Sequence, residues 1–216
     1  DHENGNKNQS FVTEIFRTLS TVTPFRVDSN PRFLAFLTKG IQICDIEFVT
    51  FYLNHITDPR ILNGKSPRSP FVIALRQLNI DIVNIFIKYF NTNIDEHKDQ
   101  IDLAMQLILE DLHRLKCTMD TKLITNKFNS IVTLIERLFE IVNIDLNYCH
   151  ENETLVNIAI SISNINFVQF YLKHLKDPSI LQQKSIKSPF IYAIKEQQLD
   201  IINLFIQYFG ESIASY

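Results

Sequence analysis

Six histidines, three cysteines and a recurring set of carboxylates are the side chains in this sequence that could do chemistry. The histidines stand at positions 2, 55, 97, 113, 150 and 174. His113 and Cys117 are four residues apart, which puts both on one face of a helix. Two ligands do not make a metal site without a third and a fourth. Cys149 and His150 are neighbours, and adjacent residues diverge on a helix, so they do not form a nucleophile–base pair. His55 and His174 hold equivalent places 119 residues apart. Each falls at the end of an apolar run, where an imidazole complements a helix C-terminus. Glu47, Asp81 and Asp200 recur at one position just ahead of an apolar run. General acid–base catalysis needs two groups facing one another in a cleft. A carboxylate repeated once per unit at a helix start instead complements backbone N–H groups. No catalytic residue, metal or cofactor is assigned, and the chain is expected not to be an enzyme. The basic residues are more informative: Lys65, Arg68 and Arg76 reappear with matched charge as Lys184, Lys187 and Lys195.

Composition narrows the classes further. The chain has 216 residues, 45% hydrophobic and 21% charged, which suits a folded chain with a sizeable core. Glycine is scarce: 4 residues, where average usage would give roughly 15. They are scattered, so the clustered glycines of phosphate-binding loops are missing. The net charge of −3 gives no global positive field for nucleic acid, and no nucleic-acid partner is expected. A binder using only the local Lys/Arg sets would betray itself by steep salt dependence. No run of 18 apolar residues exists, so no membrane insertion is expected. The odd cysteine count without a CxxC pair points to a reducing, intracellular setting, cytoplasmic or nuclear. Residues 1–10 are polar throughout and read as a disordered tail or the edge of a longer chain.

The elements that must position these residues come from a duplication. Residues 45–90 and 164–209 align without a gap, with 24 of 46 positions identical. A period of 34 lies inside the longer one. Ser69-Pro70-Phe71-Val72-Ile73-Ala74 recurs as Ser188-Pro189-Phe190-Ile191-Tyr192-Ala193. Thirty-four residues ahead of these stand Ala35–Gly40 and Thr154–Ala159. Each unit continues into a second apolar run, entered through Asp45, Asn79, Asn164 or Gln198. Ser-Pro is an N-cap followed by proline at the first helical position. Phe71, Ala74 and Leu75 then follow helical spacing, as do Ile82, Val83, Phe86, Ile87 and Phe90. The 17 Phe and 7 Tyr fall mainly at helical periods and read as core. Helices this short are marginal alone and must stack on neighbours. Ile101–Leu109 and Phe128–Ile141 are expected to be helices, separated by an insertion at about 110–127. Residues 11–21 read as half of a first pair.

These residues resemble the ankyrin repeat, in which a T-P-L-H-x-A helix, a turn, a second helix and a projecting loop recur at this period. Ser-Pro-Phe-x-x-Ala stands for the first motif twice, and Ile144-Asp145-Leu146-Asn147 and Thr92-Asn93-Ile94-Asp95 for the closing one. The usual histidine is replaced by Val72, Ile191, Asn157 or Thr38. The usual glycine between helices is replaced by Leu78, Gln197, Ser163 or Cys44. The resemblance implies an all-α, ankyrin-like helical solenoid of about five to six helix pairs. Residues 11–216 would form a single repeat domain, with homologous blocks at about 11–97 and 128–216. It also implies a scaffold that binds protein on a concave face of loops and first helices. Lys65, Arg68, Lys184, Lys187, Arg76 and Lys195 would meet an acidic segment of the partner. The other reading of the same array is a non-catalytic targeting or regulatory region of a larger enzyme or channel. Self-association through an uncapped terminal repeat is a further expectation.

Overall fold

A computed structural model describes residues 18, 31–56, 58–116, 120–142, 144, 146–147, 149–150, 153–175, 181 and 188–210. The polar segment 1–10, Cys117 and residues 182–187, with Lys184 and Lys187, lie outside the described residues. So does the expected half-pair at 11–21, apart from Thr18. The described chain is helical. The α-helices are α1 (Pro31–Gln42), α2 (Ile46–Asn54), α3 (Pro70–Arg76), α4 (Ile80–Phe90) and α5 (Lys98–Lys116). They continue with α6 (Thr121–Phe139), α7 (Leu155–Ser161), α8 (Ile165–His174), α9 (Pro189–Lys195) and α10 (Leu199–Phe209). Short 3-10 helices cover Pro59–Leu62 and Asn91–His97. Cys149–His150 and Glu153–Thr154 form a two-residue antiparallel ladder ahead of α7.

The chain divides into two compact units, one of Asp1–Ala104 with Arg137–Asn143, the other of Met105–Glu136 with Ile144–Tyr216. In the first unit α1 packs on α2 and α3, α2 on α4, and α3 on α4. In the second unit α7 packs on α8 and α9, α8 on α10, and α9 on α10. First helices therefore stack on first helices, and second on second, within each unit. Phe48, Phe71 and Phe86 are fully buried in the first unit, and Phe128, Phe167 and Phe205 in the second. The small residue of each first helix marks close approach: a Cβ on Gly40 would lie 2.3 Å from the Phe48 ring.

The turn joining each helix pair carries one left-handed residue, four times. Cys44, Leu78, Ser163 and Gln197 have φ of 57°, 58°, 57° and 56°. These are the positions where the resembled family carries glycine, and here no glycine stands at any of them. At the first turn Cys44 N–H donates to the Ile41 carbonyl and Asp45 N–H to the Gly40 carbonyl. That pair of bonds is the Schellman closure of a helix C-terminus. The 163 and 197 turns repeat it, with Asn164 N–H on Ala159 and Gln198 N–H on Ala193. The residue that closes one helix also opens the next. Asp45 Oδ1 accepts from Phe48 N–H at 2.9 Å, Asn79 Oδ1 from Ile82 N–H at 3.2 Å and Asn164 Oδ1 from Phe167 N–H at 3.0 Å. Gln198, one methylene longer, makes no such cap.

In the middle of the chain, the expected insertion at 110–127 falls largely within two helices; the first runs beyond the expected 101–109 and the second starts before the expected 128. Residues 110–116 belong to α5 and 121–127 to α6. Of the leucines there, Leu112 is buried, Leu115 half-buried and Leu123 exposed. Ile108 and Leu112 extend the buried stripe of Ile101, Ala104 and Met105, and Ile124 starts one continued by Phe128 and Ile131. Asp120 Oδ1 accepts from Leu123 N–H at 2.9 Å, which caps the start of α6.

Candidate partner-binding loop

The loop ahead of α3 carries the basic residues singled out from the sequence. Ser69 N–H donates to the Ser66 carbonyl at 2.9 Å, closing a β-turn over Pro67 and Arg68. Proline suits the second position of such a turn, and Ser66 Oγ adds a bond from Arg68 N–H. The tight turn holds Lys65 and Arg68 out to solvent. Arg76 is not with them: it ends α3, half-buried, about 10 Å along the helix axis at 1.5 Å per residue. Lys195, its counterpart, ends α9 and is exposed. Lys195 and Lys116 lie over the Tyr192 ring at 5.9 and 5.8 Å, and Lys116 Nζ donates to Tyr192 Oη at 3.1 Å.

Two features of the loop are absent from the sequence-based picture. The first is a counter-charge: Lys65 Nζ bonds Asp99, in the first turn of α5. That hydrogen bond holds the Asp99 carboxyl below the usual aspartate range. The signal was available, since 34 residues, one repeat, separate the pair. The second is an anchor beneath the loop. Gln100, 2% exposed, sends Nε2 to the Leu62 carbonyl at 2.7 Å, the Gly64 carbonyl at 2.9 Å and Ser69 Oγ at 2.8 Å. Its Oε1 meets Nδ1 of buried His97 at 2.7 Å. The two carbonyls require the amide nitrogen on their side, so Oε1 faces the imidazole and Nδ1 carries the proton. Ser69 does stand at the N-cap of α3, but its hydroxyl makes no cap bond. The Gln100 amide occupies it instead.

A groove of about 440 Å³ opens beside the anchor, lined by Asp58, Arg60, Asn63, Tyr89, Glu96 and His97, among others. Arg60 forks onto Asp58, Nε to Oδ1 and Nη2 to Oδ2, each at 2.8 Å. The guanidinium keeps the Asp58 carboxyl low and is itself held charged. His97 stacks on Phe90 with ring centroids 3.5 Å apart. His55 closes α2, its Nδ1–H donating to the Phe51 carbonyl at 2.7 Å, and His174 ends α8 against Phe170. Glu47, Asp81 and Asp200 sit in the first turns of α2, α4 and α10. Among the described residues no three His, Cys, Asp or Glu side chains group to hold a metal ion, and no helix is long and apolar enough to cross a membrane. No protein-family model, curated protein or solved structure matches the chain.

Proposed function

We propose that the chain is a non-enzymatic, divergent ankyrin-like repeat module that binds a partner protein through the Lys65–Arg68 loop and neighbouring first helices. The observation that carries this reading is the fourfold turn at 44, 78, 163 and 197. Its left-handed residues stand where the resembled repeats place glycine, and its helix pairs stack first on first and second on second within each unit. A loop anchored from below by Gln100 is preordered. Binding there loses little conformational entropy, which is how rigid repeat surfaces gain affinity. Its outward cations suit an acidic segment of the partner. The exposed thiol of Cys44 fits a reducing compartment.

The test compares affinity capture by the wild type with capture by a Lys65→Glu, Arg68→Glu, Lys184→Glu, Lys187→Glu variant, both first shown folded by circular dichroism. The reading expects a partner whose capture is lost in the variant and weakens as salt rises. Equal capture by both proteins removes the basic loops from the interface.

A further inference from the structure

The groove beside the Gln100 anchor contains a buried imidazole with one nitrogen unused. His97 is 5% exposed. Phe90 stacks on one face of its ring, Phe71 meets it edge-on, and Nδ1–H is spent on Gln100. Nε2 bonds to no described residue, and the groove is what His97 lines, so the Nε2 edge is the part of the ring presented there. With the proton on Nδ1, Nε2 is an acceptor. A ligand that brings an N–H to it supplies a hydrogen bond the fold does not make for itself.

The rest of the lining selects the donor. Two carboxylates, Asp58 and Glu96, stand against one base, Arg60. Arg60 is committed to both oxygens of Asp58, so no cation waits there for an anion. The Glu96 and Asn63 side chains are exposed, and the half-buried ring of Tyr89 forms a wall. The groove therefore offers acceptors, an excess of negative charge and an aromatic surface. A guanidinium suits all three: it is planar, always charged, carries donors on several edges and stacks on aromatic rings.

The duplication supplies an internal comparison. Asp58, Pro59, Tyr89 and Phe90 recur 119 residues on as Asp177, Pro178, Tyr208 and Phe209. Arg60, Asn63, Glu96 and His97 do not: Ser179, Gln182, Ser215 and Tyr216 stand in their places. The second block keeps the frame residues and has neither the carboxylate of Glu96 nor the imidazole.

We propose that this groove binds a guanidinium group on an alkyl stem, either an arginine side chain of a partner or a free guanidino compound. The guanidinium donates to His97 Nε2, sets its charge against Glu96 and lays its plane on Tyr89. A groove of about 440 Å³ is of the size that holds small ligands. The site is separate from the Lys65–Arg68 loop, and the inference holds or fails without it.

The probe is arginine capped as N-acetyl and N-methylamide, titrated into the 216-residue protein and followed by 15N NMR. One saturable site is expected, with shifts confined to 58–63 and 89–97, a shift of the His97 Nε2 resonance, and a dissociation constant of about 1 mM, ordinary for so small a ligand. The capped citrulline, which has the shape without the charge, and the capped lysine, which has the charge without the plane, should each bind at least about five-fold more weakly. Glu96→Gln, at an exposed side chain, keeps the wild-type circular dichroism spectrum and should weaken binding roughly 2–5-fold. His97→Asn keeps a donor for Gln100 but removes Nε2, and should weaken binding about 5–10-fold. Should that variant fail to fold, Glu96→Gln and the Nε2 resonance still decide. Butylguanidinium separates the two sources: a tighter fit than the capped residue assigns a free compound, a weaker one a partner's arginine. No saturation by about 20 mM, equal affinity for the citrulline or lysine compound, an unmoved Nε2 resonance, or equal affinity of Glu96→Gln overturns the proposal.

Discussion

Replacing Gln100 with leucine tests the claim that one amide orders the candidate binding loop. Leucine keeps the volume and the apolar stem but deletes every polar contact. The Leu62 carbonyl, Ser69 Oγ and the Nδ1–H of His97 then lose their partners, and all three residues are buried. The Gly64 carbonyl sits on an exposed residue and turns to water. A buried polar group left without a partner costs about 1–3 kcal/mol. Three such groups, partly relieved by local movement, come to roughly 3 kcal/mol. For a unit of this size that lowers the melting temperature by roughly 10 °C or more. The assay is urea and thermal unfolding followed by circular dichroism, with amide hydrogen exchange on the same samples. Exchange should accelerate by roughly 100-fold in the 62–73 stretch, since each 1.4 kcal/mol is a factor of ten. Ser69→Ala, which removes one acceptor, should cost only about 1 kcal/mol. A loss under about 1 kcal/mol for Gln100→Leu refutes the anchor. So does faster exchange spread evenly over α7–α10, which would mean global destabilisation instead of a released loop.

Three other outcomes follow from the same geometry. Gln197→Gly and Cys44→Gly, at exposed left-handed positions, should each raise stability by about 0.5–1 kcal/mol, because relief of the backbone outweighs glycine's extra unfolded freedom. Gln77→Gly, at φ −74°, should lower stability instead, and chemical denaturation separates the two. Gly40→Ala should destabilise by roughly 1–2 kcal/mol despite better helix propensity, since its methyl meets the Phe48 ring; a neutral result would mean that the ring moves aside freely. Asp99 should titrate below an ordinary aspartate by NMR, and Lys65→Met should bring it up. Its folded pKa is depressed, so the stabilisation from the pair is present above the unfolded aspartate pKa and lost as pH falls through the folded value.

What could be read from the residues was whatever repeats. Helical spacing at Phe71–Leu75 and Ile82–Phe90 located α3 and α4, and the 119-residue offset carried both onto α9 and α10. The ends of α5 and α6 within 110–127 were not legible, because the polarity of EDLHRLKC masks that Ile108, Leu112 and Ile124 keep the helical period. The anchor was hidden for a different reason. Neither residue type recurs one repeat away: Asn63 and Ile131 flank His97 at 34 residues, and Ser66 and Leu134 flank Gln100, so no repetition marked them. Their role depends on a carbonyl at Leu62 that carries no side-chain signal. Lys65 was picked for its charge, but its pairing with Asp99 required reading across the repeat period instead of along it.

The left-handed turns also bear on the odd composition. In repeats of the resembled kind a glycine closes the first helix without steric cost. Here Cys, Leu, Ser and Gln do so, each accepting roughly 1 kcal/mol or more of backbone strain. The turn survives because its neighbours over-determine it: two backbone bonds close the helix behind the turns at 44, 163 and 197, one from Leu78 N–H to the Leu75 carbonyl closes it at the second, and an Asp or Asn side chain opens the helix ahead at three of the four turns. An N-cap of that type is worth about 1 kcal/mol, which matches the strain. The fourth turn, at Gln197, has the strain and the closing bonds but not the cap. Gln198→Asn should therefore restore it. A gain of about 1 kcal/mol, together with a new bond from the Ile201 N–H, is the expected result. No gain would mean that the capping side chain, at this turn at least, is not what offsets the left-handed residue.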